Sequence, residues 1–424
     1  MRTDIIIVGS GVAGLYCALS FPKEKNIIIV TKDKDYKSDS YLAQGGICVL
    51  RDEEDYDAFY EDTMKAGHYE NNPDSVHIMI HSSPEVIADL ESFGVRFEKN
   101  GEEFTFTREG AHSKPRILFH EDQTGKEITS HLLQIVKSRE NITIIENYTM
   151  VDLICENNEC FGIIGHDENG VFSAVQADYT VLATGGIGGI FEHSTNYRHL
   201  TGDAIALALK YGVKLQHIDY IQIHPTTLYT EKDGREFLIS ESVRGEGAIL
   251  LNAKGERFVN ELLPRDVVAN AIFAEMKKEN TKHVWLSFAP IPETEIKAHF
   301  PNIYQRCLEE GYDITKEPIP VVPSQHYFMG GIAVDRYSKT SMARLYAAGE
   351  TACNGVHGRN RLASNSLLES LVFARRAARH IIDGYSTANH DKEVLVDDTQ
   401  YANYKDEYKK AVLAAIEKEK ISHE

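Results

Sequence analysis

The sequence predicts an α/β chain: a Rossmann-like dinucleotide-binding domain, interrupted by an inserted α+β domain and followed by a short C-terminal helical tail. Three observations carry this reading. The β-branched run 5–8 leads into Gly9-Ser10-Gly11-Val12-Ala13-Gly14, an apolar helix and a second β-branched run at 27–31. That is the strand, glycine turn, helix, strand order of a nucleotide-binding unit. Strand-like runs ending in glycine recur at 179–186 and 346–350, and between them, over 218–325, short strands and amphipathic helices alternate with Pro290, Pro292, Pro301, Pro318, Pro320 and Pro323. The expected division is 1–217 with 328–388, an insert at 218–327, and a tail at 389–424.

Within the glycine turn each residue type has a separate reason. Gly9 permits the turn, Gly11 lets the backbone approach a pyrophosphate, and Gly14 lets helix and strand pack closely. The acid expected at the end of the second strand is missing, because Thr31-Lys32 stands there. The Thr31 hydroxyl can bond a ribose, Lys32 can meet phosphate, and Asp33 can substitute for the acid. Further along, 52–62 reads as an acidic, solvated helix. Asn72-Pro73-Asp74 and Ser83-Pro84-Glu85 read as two helix starts, leading to 76–81 and 86–93. A helix is expected at 127–137, strands at 142–146, 151–155, 161–165 and 179–183, and a helix at 204–211 opened by Thr201-Gly202-Asp203. The insert has an amphipathic helix at 267–278, and the tail a charged helix at 401–420.

The segment His357-Gly-Arg-Asn-Arg-Leu-Ala-Ser-Asn-Ser-Leu-Leu-Glu369 combines two arginines, Arg359 and Arg361, with a helix start. Ser364, Asn365 or Ser366 can cap that helix, and 367–382 has its apolar periodicity. A helix N-terminus favours an anionic group or a reduced ring system, and an arginine fork beside it can grip a carboxylate at two points.

The 424 residues exceed the roughly 250–300 at which single cores stop growing. A hydrophobic content of 42% is that of an ordinary globular chain, and the net charge of −19 argues against nucleic acid or an anionic membrane as main partner. The six cysteines include no Cys-x-x-Cys pair; Cys155 and Cys160 are close, but two thiols do not make a tetrahedral site. No metal and no iron–sulfur cluster are expected, and free thiols suit a reduced cytoplasm. The apolar run 5–21 is broken by glycines and lacks a basic start and a cleavage site, so it does not read as a signal peptide. No stretch is long and apolar enough for a bilayer span.

Several ordered motifs carry a resemblance. Ala43-Gln44-Gly45-Gly46-Ile47, Ala183-Thr184-Gly185-Gly186, Thr201-Gly202-Asp203, Gln222-Ile223-His224-Pro225-Thr226, Ala348-Gly349-Glu350 and Ser364-Asn365-Ser366-Leu367-Leu368-Glu369 resemble, in this order, the succinate dehydrogenase/fumarate reductase flavoprotein superfamily. The resemblance spans about 3–385 and implies FAD in the first domain, with the insert as a capping domain over the substrate. It implies cofactor contacts from Gly9, Ser10, Gly11, Val12, Ala13, Gly14, Lys32, Ser40, Ala43, Gln44, Gly45, Gly46, Asp203, Glu350, Ser366 and Leu367. The place of the histidine that carries covalent flavin in respiratory members falls on Asp39 here, so the FAD is expected to be non-covalent.

Phe106-Thr107-Arg108-Glu109-Gly110-Ala111-His112-Ser113 is similar to the Thr-Arg-Glu-Gly-Gly-His-Ser signature of L-aspartate oxidases, with Ala111 at the second glycine. Glu109 would repel a bare dicarboxylate but attract an added ammonium group. The resemblance implies that Gln222, His224, His326 and Arg361 bind substrate. Arg359 has no such backing, and roles for His112, His120 and His357 stay open. It also makes Arg265 the proton-transfer residue. A guanidinium can do this only beside other cations with a carboxylate relay, Asp266 or Glu261; a purely electrostatic role is the alternative.

The implied reaction is oxidation of L-aspartate to iminosuccinate, with oxygen (giving hydrogen peroxide) or fumarate as acceptor. It would be the first step of de novo NAD biosynthesis in the cytoplasm, with quinolinate synthase downstream. The rivals are a soluble fumarate reductase, which would not need Glu109, and an electron-transfer subunit of a respiratory complex, against which Asp39 counts.

Overall fold

The computed structural model describes residues 1–232, 234–389 and 394–423. The first β-branched run lies in the strand Arg2–Val8, and its alternation explains the architecture. Ile5 and Ile7 point into one core, with the helices Val12–Leu19, Pro73–Ser92, Thr124–Ser138 and Asn365–Asp383. Ile6 and Val8 point into a second core, closed by the helices Asp203–Tyr211 and Tyr404–His423. A sheet covered on both faces needs apolar residues on both, which is why this strand reads as continuous isoleucine.

The central seven-stranded sheet runs in the order 142–145, 27–30, 2–8, 172–182, 159–166, 149–156, with 345–347 also paired to 172–182. Strands 2–8, 27–30, 142–145 and 345–347 are parallel to their neighbours, while 149–156 and 159–166 form an antiparallel hairpin. The strand Phe172–Leu182 serves both halves: its first residues pair with the hairpin and its last with Leu345–Ala347. Consequently Gly9, Thr31, Ala183 and Ala348 all leave the sheet at the same edge, the carboxyl ends of its parallel strands, where open α/β sheets bind ligands.

The insert contributes a separate five-stranded antiparallel sheet in the order 237–238, 221–228, 319–328, 284–287, 249–251. Leu250, Leu286, Ile319 and Val321 form its core with Ile272 of the helix Arg265–Glu279. Its two long strands, Ile221–Leu228 and Ile319–Phe328, carry Gln222, His224 and His326 toward the first domain.

Three elements differ from expectation. The two helices read at 76–81 and 86–93 are one, Pro73–Ser92, with Pro84 inside it. Pro84 has no N–H for the Ile80 carbonyl, and the Ser83 hydroxyl donates to that carbonyl instead at 2.6 Å. The helix expected at 52–62 starts later, as Tyr56–Ala66, after a short 3-10 turn. The strand expected at 179–183 is longer, Phe172–Leu182, because its polar first half pairs with the hairpin. The tail helix is Tyr404–His423; 390–393 and 424 of the expected tail lie outside the described residues. Among the described residues no helix is long and apolar enough to cross a membrane, and no three His, Cys, Asp or Glu side chains cluster to hold a metal.

Candidate functional site

The strand ends open into one cleft that also reaches the insert. It runs from the glycine turn at Gly9 to Arg361 and Glu109.

At the dinucleotide end, Gly9 has φ +118°, and a Cβ there would lie 2.0 Å from the Ala183 carbonyl oxygen. A Cβ on Gly14 would lie 2.0 Å from the Gly9 carbonyl oxygen, so turn and helix pack only as glycine. Gly9, Ser10, Gly11 and Ala13 line the cleft, whereas Val12 and Gly14 stand behind it. The Val12 N–H donates to Ser40 Oγ at 3.2 Å, and Ser10 donates to Thr31 Oγ1 at 3.0 Å. Lys32 is on the wall, but its ammonium bonds Asp203 at 2.6 Å, Thr201 at 2.8 Å and the His199 carbonyl at 2.9 Å. Its first partner is therefore Asp203, not a phosphate.

The middle of the cleft is lined by Ala43, Gln44, Gly45, Gly46, Ser366 and Leu367, the last two in the first turn of the helix Asn365–Asp383. Gln44 Oε1 and Asp39 Oδ2 are buried with no partner of their own. Burial pushes the Asp39 carboxyl up to about 7, and the Tyr197 N–H donates to its other oxygen at 3.0 Å. Glu350, which accepts from the Phe328 N–H at 3.0 Å, is pushed up to about 8 by burial and by Asp39. A glycine cradle, a helix N-terminus and unsatisfied buried polar atoms fit a flavin dinucleotide.

At the insert end, Arg361, Arg265, His224, His326, Glu109 and Glu241 line the cleft together. His326 Nε2 accepts from Arg361 at 3.1 Å, so its proton is on Nδ1, 2.7 Å from Thr195 Oγ1. His224 Nδ1 lies 3.1 Å from both the N–H and the carbonyl oxygen of Thr226, and its Nε2 is buried and unpartnered. Burial first, and then neighbouring arginines, hold both imidazoles well below their ordinary range, so both are neutral. Arg361 stacks 4.1 Å from the Tyr327 ring centre and keeps a buried Nε without a partner. Burial and Arg265 lower Arg361 to about 10, so it stays charged. The free Arg361 Nε–H, with the unpartnered His224 Nε2 in the same cleft, suits a carboxylate.

Glu109 is 4% exposed. Its Oε1 accepts from the Ser242 hydroxyl at 2.9 Å and its Oε2 from the Ser364 hydroxyl at 2.5 Å. Burial and then Glu241 raise its carboxyl, and the two serines and Arg265 partly offset them. Ser364 holds the N-cap position but does not cap: its φ is +61° and its hydroxyl faces Glu109. This corrects the capping role expected of Ser364.

Arg265 is the first residue of its helix; Nε donates to Glu241 at 2.5 Å and Nη1 to Gln222 Oε1 at 2.9 Å. Of the two carboxylates expected beside Arg265, Asp266 instead faces His68 at 2.9 Å and Glu261 binds Arg257, and the one in contact is Glu241. Burial alone would raise Glu241, but Arg265 and Arg244 outweigh it and hold it below its usual range. Arg244, fully buried, stands 3.5 Å from the same Glu241 oxygen.

Gln222 is not on the cleft wall. It donates to Asn360 Oδ1 at 2.9 Å and to the Arg361 carbonyl at 2.8 Å, tying both arginines in place. Arg359 points away to solvent, 3.9 Å from Glu70. His112, between Arg116 and the Ala363 carbonyl, and His357, edge-on to Tyr327, are buried behind the wall; His120 lies off it near Glu98. Sequence reading missed Glu241, Arg244 and Ser242. Ser-Glu-Ser-Val-Arg has the spacing of any short surface helix, and nothing in it announces burial.

The profile of the FAD binding domain family matches residues 4–367. The chain is 53% identical to an L-aspartate oxidase of Clostridium perfringens over 379 residues, covering 89% of this chain and 86% of that one. It is 50% identical to an L-aspartate oxidase of Clostridium acetobutylicum over 383 residues, covering 90% and 88%. Among solved structures, a variant of FrdA from E. coli quinol fumarate reductase matches with TM-score 0.87 at 29% identity, covering 99% of this chain and 74% of that one. Mycobacterium smegmatis Sdh1 matches with TM-score 0.82 at 33% identity, covering 95% and 72%.

Proposed function

The chain belongs to the L-aspartate oxidase family of FAD-binding flavoproteins, and from that premise we propose how its residues carry out FAD-dependent oxidation of L-aspartate to iminosuccinate. The observation that carries the reading is Glu109: one buried carboxylate, held by two serines, in a pocket otherwise furnished with Arg361, Arg265, His224 and His326.

Arg361, helped by His224 when its proton is on Nε2, grips the substrate carboxylates, and His326 fixes the Arg361 fork. Glu109 pairs with the α-ammonium group. Because burial raises its carboxyl, it can also take the ammonium proton as the Cα–H bond breaks. Arg265 steadies the charge that moves during this step, and Glu241 and Arg244 supply or remove its proton when the same site reduces fumarate. FAD, when bound, supplies the two-electron acceptor. Gly9, Ser10, Gly11, Ala13, Ser40, Ala43, Gln44, Gly45, Gly46, Asp203, Glu350, Ser366 and Leu367 hold it, without a covalent bond through Asp39.

The electrons leave to oxygen, giving hydrogen peroxide, or to fumarate, giving succinate. In this reading the enzyme works in the cytoplasm, opens de novo NAD biosynthesis and passes its unstable imine to quinolinate synthase. The decisive experiment is anaerobic bleaching of the holoenzyme by L-aspartate compared with succinate. Faster bleaching by L-aspartate is expected; bleaching by succinate alone would refute the assignment in favour of a soluble fumarate reductase.

A further inference from the structure

The hairpin formed by the strands Thr149–Glu156 and Glu159–His166 turns through Asn157 and Asn158, both with left-handed φ, +53° and +61°. This is the two-residue turn that matches strand twist. It places Cys155 directly opposite Cys160 in the register. The Cys160 N–H donates outward to the Ala343 carbonyl at 3.0 Å, so the two cysteines form a non-hydrogen-bonded antiparallel pair. Such pairs have Cα atoms about 4.5 Å apart, inside the roughly 4.4–6.8 Å range of disulfide-linked cysteines. Both side chains lie on the same sheet face, in the core that also holds Met342. Cys160 is fully buried and Cys155 only partly so, with its Sγ 3.5 Å from Met342 Sδ. Both are free thiols.

We propose that Cys155 and Cys160 are a dithiol site that hydrogen peroxide closes to a reversible disulfide. The idea rests on the proposed function only for the source of the oxidant, since oxygen as acceptor makes peroxide at this same protein. In the reaction a thiolate sulfur attacks one peroxide oxygen, giving a sulfenic acid and, after protonation, water. The second thiol then displaces the hydroxyl as a second water. Two thiols are oxidised by two electrons in all, and one peroxide is reduced to two waters.

The electrostatics agree with the geometry. The Cys155 thiol beside it holds Cys160 below the ordinary thiol range, while the same contact and burial push Cys155 up. Of the two sulfurs, Cys155 is the one that solvent reaches. Neither cysteine lines the cleft, and the hairpin is anchored independently, through Asp152 to Lys210 at 2.6 Å and to the Tyr211 hydroxyl at 2.8 Å. Closure is therefore expected to leave flavin content unchanged.

The test treats reduced holoenzyme with equimolar hydrogen peroxide and maps peptides without reduction. The expected result is a peptide cross-linked between positions 155 and 160, two hydrogens lighter and restored by dithiothreitol. In C155S and C160S, given two or more equivalents of peroxide, the remaining cysteine should instead run on through sulfenic to sulfinic acid. Sulfinic acid without cross-link in the unaltered protein, or a pair left reduced by excess peroxide, would overturn the proposal. A second arm replaces added peroxide by turnover with L-aspartate, in air or with fumarate under argon. Cross-linking in air alone supports the proposal in full. Cross-linking by added peroxide but not by turnover in air upholds the dithiol site and counts against oxygen as acceptor.

Discussion

Ser364 donates to Glu109 at 2.5 Å from the position where a helix-starting serine ordinarily accepts from its own helix. The same oxygen accepts from the Gly46 N–H at 3.2 Å, which directs its proton toward the carboxylate. A Cβ on Gly45 would stand 2.6 Å from Glu109 Oε1. Gly45, Gly46, the start of the helix Asn365–Asp383 and Glu109 are thus one packed unit.

Replacing that carboxylate separates the two substrates. Glu109→Gln is expected to lower kcat/KM for L-aspartate by about 30-fold or more, the weight of a buried charge pair of ~2–5 kcal/mol. Fumarate reduction should change only a few-fold. Steady-state kinetics with both substrates decide it, and equal losses would remove Glu109 as the ammonium partner.

Ser242 favours the ionised form of Glu109 through its 2.9 Å bond. Ser242→Ala removes that donor, so the carboxyl already raised by burial moves higher. The acid limb of the kcat/KM profile for L-aspartate should shift to higher pH, with recovery in Ser242→Thr. An unmoved limb would show that the serine only fills space.

Glu241, not Asp266 or Glu261, touches Arg265. Glu241→Gln should lower kcat for fumarate reduction by about 100-fold or more, in line with loss of a proton-transfer group, with KM little changed. Asp266→Asn should stay near the unaltered rate. Similar losses in both variants would indicate a general disturbance of the helix start.

Gly9→Ala forces a Cβ to 2.0 Å from the Ala183 carbonyl oxygen, at a φ of +118°. Backbone meets backbone there, so no side chain can yield. The purified variant is expected to hold little FAD, measured as flavin per protein after denaturation. Stoichiometric FAD would mean that the two strand ends separate more easily than their packing implies.

Stability of the cofactor-free protein should fall as pH rises from about 6.5 to about 8. Burial holds Asp39 and Glu369 up at about 7 and Glu350 at about 8, whereas unfolded carboxylates ionise near ~4. The folded chain therefore keeps protons that the unfolded chain has released, and stability drops as pH climbs. Burial also lowers His112 to about 4 and His357 to about 3, which acts in the opposite sense but only below the unfolded histidine value of ~6.5. Between pH ~6.5 and ~8 the carboxyl contribution stands alone. Thermal melts should show the decline, and Asp39→Asn should flatten it; a rising Tm across that interval would contradict it.

The first domain was legible because its constraints are local. Gly9, Gly11 and Gly14 are required by backbone contacts within one turn, and the isoleucines of Arg2–Val8 announce a strand buried on both faces. Arg265, Arg361 and Glu109 were legible through their motifs, and all three line the cleft. Gln222 was misplaced by the same means. A motif marks which residue matters, while facing the substrate or bracing Arg265 and Arg361 depends on side-chain direction at a strand bulge.

By itself the sequence determined the glycine turn that follows Arg2–Val8 and singled out Arg265, Arg361 and Glu109, which line one cleft. Only the tertiary structure decided which carboxylate serves Arg265, why Ser364 leaves its helix uncapped, and that Lys32 answers Asp203. These are contacts between segments distant in the chain, made where burial removes water as the alternative partner. There a polar group binds whatever the fold brings within reach, and that cannot be read from its neighbours in sequence.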